Sequence, residues 1–190
     1  MAFDLLIRHG TVVDGTGGTR YQADVGIVDG KIKTIGKVGN VEASTVIEAS
    51  GHIIAPGFID MHSHFFPENW PDFEVKFGSP DWPWIKHHGD GKATVMIGDK
   101  VFRPIYSACW DTLKRIEEMD EHGVDKQIIC AAPVLFAATR SANQAAECAH
   151  IFNESALEMC RRSNGRLLSL AQVPLQNIDI ACDVLTQAMN

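Results

Sequence analysis

Two histidines separated by one residue are the clearest candidates for chemistry in this sequence. His62 and His64 come at the end of an apolar segment, Phe58–His62, which follows a Pro-Gly pair and is predicted as a strand. Because side chains alternate along a strand, both imidazoles face the same side and can reach one metal ion. Asp60, one alternation further back, is expected to orient a ligand. Two histidines that only hydrogen-bond at a strand end are the alternative interpretation.

Arg103 is the candidate for binding substrate. It lies in a predicted hairpin, and a planar guanidinium on a rigid hairpin suits bidentate binding of a carboxylate. An exposed arginine on an edge strand is the alternative. His87 and His88 are interpreted as a solvated loop pair, and His122 as a favourable charge at a helix end. The remaining histidines are not predicted to be ligands: His9, His52 and His150.

The composition excludes several classes of protein. The chain has 190 residues, 45% hydrophobic and 22% charged, and a net charge of -7 without a Lys/Arg-rich run, which argues against nucleic-acid binding. The segment Met1–Arg8 has no secretory signal pattern. The longest nearly apolar run, Ile128–Ala138, is far shorter than the roughly 20 residues that span a bilayer. We therefore expect a soluble cytoplasmic protein with neither nucleic acid nor membrane as partner.

The cysteines are interpreted as structural. They form no C-x-x-C pair and are odd in number, which argues against a disulfide framework or a zinc ribbon. Free cysteines are often buried as small hydrophobic residues, and reduced thiols fit a cytosolic protein. The five cysteines are Cys109, Cys130, Cys148, Cys160 and Cys182.

Two domains are predicted, with a boundary after residue 57. Residues 1–57 are predicted as a small β unit of short strands separated by turns, with Asp29-Gly30 as a strong hairpin signal and turns also expected at His9-Gly10 and Ser50-Gly51. Residues 58–190 alternate strands and helices: helices follow Asp111 and Ser141, strands cover Val124–Cys130 and Arg166–Val173, and a last helix covers Asp179–Met189. Near-continuous apolar strands of this kind indicate a parallel sheet covered by helices. The fold class is therefore α/β.

An insertion separates the first strand of the second domain from its helix. Residues 65–110 are much longer than an ordinary βα loop and rich in aromatic residues, so we expect an ordered segment with a hairpin of Ala93–Ile97 and Val101–Tyr106. The aromatic side chains either pack the insertion itself or line a substrate pocket.

Several motifs resemble the amidohydrolase superfamily of metal-dependent (β/α)8 barrels. The segment Pro56–His64 resembles the first-strand signature of that superfamily. Ahead of it, four segments resemble the N-terminal β-sandwich of hydrolases such as D-aminoacylases and dihydropyrimidinases: Asp4–Arg8, Thr11–Gly15, Asp29–Ile32 and Ala55–Gly57. The resemblance implies a TIM-barrel type fold, represented by about three βα units, preceded by a small β-sandwich-like unit.

The second domain resembles another branch, the 2-amino-3-carboxymuconate-6-semialdehyde decarboxylases. The matching segments occur in order between residues 60 and 182: Asp60–Pro67, Val101–Pro104, Cys109–Asp111, Arg115–Asp120 and Ala171–Gln176. This resemblance implies a zinc decarboxylase that acts on an acidic ring-cleavage product of aromatic or tryptophan breakdown. His62 and His64 would then be zinc ligands, and Arg103 would hold a substrate carboxylate.

The chain also departs from the family pattern. A (β/α)8 barrel takes about 250 residues, and the family's later zinc ligands and catalytic histidine have no counterpart here, so no catalytic residue is assigned. Two alternatives to the decarboxylase stay open. One is a metal-dependent hydrolase of amide or cyclic amide bonds, which residues 1–57 favour. The other is a non-catalytic fragment that pairs with another chain through its open sheet edge. A homo-oligomer is also open.

Overall fold

Residues 2–57 form a mixed sheet of five strands. The structure is a computed structural model that describes residues 2–189, and the chain divides into two units, Met1–Gly57 and Phe58–Asn190. The first strand is central, because it pairs antiparallel with the second and parallel with the fourth and fifth. The strands of this unit are β1 (Phe3–Val12), β2 (Tyr21–Val28), β3 (Lys31–Gly36), β4 (Ala43–Glu48) and β5 (Ile53–Ile54).

One of the three predicted turns forms a hairpin. Asp29 and Gly30 have φ of 51° and 68° and connect β2 to β3, as their sequence predicts. The turn predicted at His9-Gly10 is wrong: β1 continues through it, because His9 adopts φ of 58° within a β-bulge. Ser50 and Gly51 form a turn, as predicted, but the strands on either side of it, β4 and β5, both pair with β1 and not with each other.

The core of the first unit is small. Val12, Ala23 and Val25 are buried together, and Ile7, Ile27 and Ile54 pack against them. Within residues 2–57 the strands belong to a single sheet. The β-sandwich implied by the resemblance therefore stays a prediction.

We expect Asp24→Asn to destabilise the first unit by about 1–3 kcal/mol, because Asp24 is buried and its carboxylate accepts hydrogen bonds from two backbone N–H groups. The donors are His9 (2.9 Å) and Val38 (3.0 Å). An asparagine would turn its NH2 group towards one of these donors. Amide hydrogen exchange of β1 and β2 measures the change, and Asp29→Asn, in the exposed hairpin turn, is the control.

The same bonds make this contribution pH-dependent. The hydrogen bond from the His9 amide, aided by that from Val38, holds the pKa of Asp24 below its ordinary value. The stabilisation is therefore complete above the ordinary aspartate value of about 3.9 and is lost as the pH falls through the lowered pKa. Equal amide exchange rates in wild type and Asp24→Asn at neutral pH would contradict the predicted destabilisation.

The second unit contains a three-stranded parallel sheet and a separate antiparallel sheet. In the parallel sheet each strand is followed in sequence by a helix, which confirms the mixed α/β class. The complete barrel stays a prediction. The elements of this unit are β6 (Phe58–Phe65), α1 (Phe73–Phe77), β7 (Pro83–Gly89), β8 (Lys92–Ile97), β9 (Lys100–Tyr106), α2 (Thr112–Glu121), β10 (Val124–Ala131), α3 (Ala142–Arg162), β11 (Leu167–Ser169) and α4 (Ile178–Ala188).

The helix starts follow the predicted caps. The Asp111 side chain accepts from the first amides of α2, and Ser141 and Gln144 form a reciprocal capping box at the start of α3. The strand predicted over Arg166–Val173 is shorter than expected. Its pairing ends at Ser169, and the buried Asn153 side chain of α3 binds the backbone N–H and carbonyl of Gln172 beyond it.

The insertion is ordered, as predicted, and contains more than the predicted hairpin. β8 and β9 pair as expected, and β7 adds a third antiparallel strand. His87 and His88 lie on β7, so their assignment to a loop is wrong, although both are exposed. The His88 ring is 2.7 Å from the Thr94 hydroxyl, and the His87 ring packs edge-on against Trp110.

One hydrophobic core joins the insertion to the parallel sheet. Phe65 of β6, Ile129 of β10 and Leu167 of β11 are buried together with Val95 of β8 and Phe152 of α3. The insertion therefore packs as part of the second unit. None of the helices within residues 2–189 combines the length and the apolar character that a membrane crossing requires.

Candidate metal centre

His62 and His64 lie at the C-terminal end of β6 with their rings in contact. Their Nε2 atoms are 3.1 Å apart, and the rings meet edge to face. The structure thus brings together the two histidines that the His-x-His spacing selected. Their binding of a metal stays a prediction.

Cys130 is a third donor at the same place, and the interpretation of the cysteines as purely structural did not include it. Its Sγ lies 3.4 Å from His64 Nδ1 and 3.9 Å from His62 Nε2. Cys130 is the next-to-last residue of β10 and pairs in register with His64, because parallel strands present their C-terminal ends at the same sheet edge. Within residues 2–189, these three residues form the group of His, Cys, Asp or Glu side chains close enough to hold one metal ion.

The hydrogen bonds of His64 leave one ring nitrogen free to bind a metal. Its Nδ1 lies 3.1 Å from the carbonyl oxygen of Ala131, which can only accept, so Nδ1 carries the proton. Nε2 then has its lone pair available and points towards His62. A metal-binding histidine commonly donates its other N–H to a backbone carbonyl in this way.

The donor set fits zinc. Tetrahedral zinc, at about 2.0–2.1 Å from nitrogen and about 2.3 Å from sulfur, separates its ligand atoms by about 3.3–3.6 Å. The two Nε2 atoms are 3.1 Å apart and Cys130 Sγ lies 3.9 Å from His62 Nε2, both close to these separations. Burial raises the pKa of the Cys130 thiol. A metal that binds there must therefore displace the thiol proton.

Asp60 contacts the backbone of the site, and its side chain does not bind a histidine ring. Its Oδ1 accepts from the His62 amide N–H at 3.1 Å, and its Oδ2 accepts from Gln127 Nε2 at 2.7 Å. Asp60 therefore acts on His62 through the main chain.

Arg103 lies on β9, an edge strand of the antiparallel sheet, and is exposed. Within residues 2–189, no side-chain hydrogen bond, ion pair or ring contact joins Arg103 to His62 or His64. Its side chain is free to meet an anionic ligand, and its role in substrate binding stays a prediction.

Of the other residues interpreted from the sequence, His122 and Cys148 lie where they were predicted, and Cys182 does not. His122 caps the end of α2, where its Nδ1 lies 2.8 Å from the Glu118 carbonyl, in keeping with its predicted place at a helix end. Cys148 is buried as expected, and burial raises its pKa to about 12. The expectation of burial is wrong for Cys182, which is exposed on α4 because its face of that helix is not covered.

Relatives of two of the predicted kinds match the chain. A 2-amino-3-carboxymuconate-6-semialdehyde decarboxylase from Dictyostelium discoideum is 35% identical over 118 residues, which are 62% of this chain and 33% of that protein. An N-acyl-D-glutamate deacylase from Alcaligenes xylosoxydans xylosoxydans is 49% identical over 61 residues, 32% of this chain and 12% of that protein. Both resemblances to the amidohydrolase superfamily are confirmed. No family model matches the chain.

The matches cover limited parts of the relatives. The chain spans about a third of the length of the curated decarboxylases that it matches. Among solved structures, that of Metarhizium anisopliae IDCase in apo form superposes with a TM-score of 0.54 over 70% of this chain and 39% of that one, at 18% identity. This likeness shows a shared fold.

Proposed function

We propose that the chain supplies the first metal ligands of a zinc-dependent decarboxylase of the amidohydrolase superfamily. The reaction is the non-oxidative loss of CO2 from an acidic ring-cleavage product of aromatic or tryptophan breakdown. The observation that carries this proposal is the convergence of His62, His64 and Cys130 at the C-terminal edge of two parallel strands. Active sites of α/β barrels lie at that edge.

The residues present match a catalytic zinc site. Such sites have three protein ligands and one open position, and two imidazoles with one thiolate meet that requirement. When bound, zinc lowers the pKa of a bound water or polarises a substrate oxygen. The chain itself holds the proton on His64 Nδ1 through the Ala131 carbonyl, which leaves Nε2 free to bind a metal.

The match to the decarboxylase is longer than the match to the deacylase, 118 residues against 61. The motifs that resemble this family also run in order through the insertion, including the one that contains Arg103. A cationic side chain would bind the carboxylate of an acidic substrate, and Arg103, which forms no ion pair within residues 2–189, can supply it.

We expect Arg103→Ala to raise KM for an acidic substrate roughly tenfold or more, because a charge-assisted bidentate contact is lost. Zinc content should stay unchanged, since Arg103 does not contact the donor residues. Steady-state kinetics and elemental analysis measure the two effects. Lys100→Ala, on the same strand, is the control, and unchanged kinetics in Arg103→Ala would remove this arginine from the substrate pocket.

A second candidate is a metal-dependent amidohydrolase that cleaves amide or cyclic amide bonds. The 49% identity to an N-acyl-D-glutamate deacylase favours it. The third alternative, a non-catalytic fragment that pairs with another chain, is favoured by β6, an edge strand on which Phe58, Ile59 and Met61 are exposed. A cytoplasmic location and a homo-oligomer stay predictions.

Two substrate classes distinguish the candidates. Size-fractionated protein with measured zinc content is tested for CO2 release from an acidic semialdehyde and for hydrolysis of N-acyl-D-amino acids. Decarboxylation that depends on His62 and His64 is the expected result. Hydrolysis alone would favour the amidohydrolase, and aggregates without zinc in light scattering would favour the fragment.

A further inference from the structure

A buried arginine lies directly behind the candidate metal centre. Arg115 of α2 is 5% exposed. Its Nη1 donates to Ser63 Oγ (2.9 Å) and to Gln127 Oε1 (2.7 Å), and its Nη2 donates to the His64 carbonyl oxygen (2.9 Å). No carboxylate within residues 2–189 forms an ion pair with it. A buried charge without a partner charge is stable only where hydrogen bonds satisfy it, so these bonds determine where the guanidinium lies.

The hydrogen bonds of Arg115 continue to His62. Gln127, which accepts from Arg115, donates through Nε2 to Asp60 Oδ2 at 2.7 Å. Asp60 Oδ1 then accepts from the His62 amide N–H at 3.1 Å. One branch from the guanidinium thus ends at the backbone of His62 and the other at the backbone of His64. We call these residues the Arg115 network: Arg115, Gln127, Asp60 and Ser63.

The network spans an irregularity in β6. Asp60 pairs with Gln127 and Ser63 with Ile129, so β6 has one more residue than β10 between these two pairs. A β-bulge of this kind redirects a side chain and interrupts regular strand pairing. His62 lies within the bulge, so strand pairing alone does not hold its backbone.

We propose that Arg115 is a positioning residue of the metal centre: through Asp60 and Gln127 on one side and the His64 carbonyl on the other, it fixes the bulge from which both histidines project. This inference rests on the metal site in the proposed function. Arg115 does not touch the metal or the substrate. Its effect is on metal affinity, because histidines that are held in place lose less freedom on binding.

The shape and charge of Arg115 suit this role. Burial lowers its pKa, while Cys109, Glu118, Asp60 and Tyr106 act in the opposite direction. An arginine stays protonated under these conditions, and its planar fork reaches Ser63, Gln127 and His64 at once. A lysine side chain is shorter and ends in one compact ammonium group, so it cannot keep all three contacts.

The test measures zinc affinity of the full chain by competition with a chromophoric chelator. Arg115→Lys should bind zinc roughly 10–100-fold more weakly than wild type, the usual loss when a residue that orients metal ligands is changed. Gln127→Met, which removes the link to Asp60 and leaves the bond to His64, should bind several-fold more weakly.

Arg166→Lys is the matched control. Arg166 also donates to backbone carbonyls, those of Val124 and Asp125, but at the opposite end of β10 from Cys130. The control makes the same Arg-to-Lys replacement away from the metal centre, so the zinc affinity should stay within twofold of wild type. Unfolding of the metal-free variants by urea separates affinity from stability.

The visible absorption spectrum of the cobalt-substituted protein does not change with a general loss of stability. The visible bands of bound cobalt depend on the arrangement of its ligands, so they should shift in Arg115→Lys and match wild type in Arg166→Lys. Wild-type affinity and spectra in both Arg115→Lys and Gln127→Met would overturn the positioning role. Absence of zinc binding by the wild-type chain would instead overturn the metal site itself.

Discussion

Replacing both His62 and His64 by alanine is expected to reduce bound zinc from about one ion per chain to none. The two imidazoles supply two of the three donors that converge at this edge of the sheet. The one remaining thiol cannot hold the ion alone. Either single substitution should also abolish binding and any activity, because only two donors would remain. Elemental analysis of size-fractionated protein measures the effect.

A second pair of histidines provides the control for this experiment. His87→Ala/His88→Ala removes two imidazoles from β7 that contact Trp110 and Thr94. Zinc content should be unchanged in this variant. Full zinc content in His62→Ala/His64→Ala would overturn the site assignment, and full content in Cys130→Ser would remove the thiol from the ligand set.

The sequence predicted the parts of this site that depend on local patterns. Alternation along a strand is a local property, so the His-x-His spacing was enough to place both rings on one side. The caps at Asp111 and Ser141 are local too, and the structure confirms the helices that they begin. The two resemblances were also carried by short segments that keep their order along the chain.

Features that depend on strand register were missed. Cys130 was recognised at the end of a strand, but its pairing with His64 follows only when the parallel order of β6 and β10 is known. The rule that parallel strands end at one edge could have linked the two. The bulge at His62 has no such signal, because it arises from the unequal number of residues between two paired positions.

Long-range polar contacts could not be predicted from the sequence either. Asn153 is a polar residue in the middle of a helix, and nothing near it in sequence shows that it binds the backbone of Gln172 beyond the end of β11. Arg115 likewise lies in a helix whose other charged residues are mostly exposed. Its burial follows from packing against β6 and β10, which the helical period alone does not reveal.

Phe152→Ala is expected to destabilise the second unit by about 3–5 kcal/mol, the usual cost of deleting a large buried ring. Phe152 is 1% exposed, and its ring centre lies 5.8 Å from that of Phe65 and 5.0 Å from that of Trp70. It thus joins the end of β6 to the insertion. Urea unfolding of metal-free protein, followed by tryptophan fluorescence, measures the loss, since all four tryptophans lie in the second unit.

The same substitution at an exposed position supplies the comparison. Phe102 of β9 is 50% exposed, and Phe102→Ala should change the free energy of unfolding by less than about 1 kcal/mol. A similarly small change in Phe152→Ala would mean that the insertion does not depend on this ring for its packing.

Comparing the free energy of unfolding of metal-free and zinc-loaded protein distinguishes residues that stabilise the fold from residues that position the zinc ligands. Zinc that binds only the folded chain adds stability in proportion to the logarithm of its affinity. Phe65, which contacts Phe152, follows His64 directly, yet it is the Arg115 network that hydrogen-bonds to the backbone of both histidines. Phe152→Ala should therefore lose stability but keep the increment from zinc, whereas Arg115→Lys should lose most of that increment. A smaller zinc increment in Phe152→Ala would mean that aromatic packing also holds the ligands.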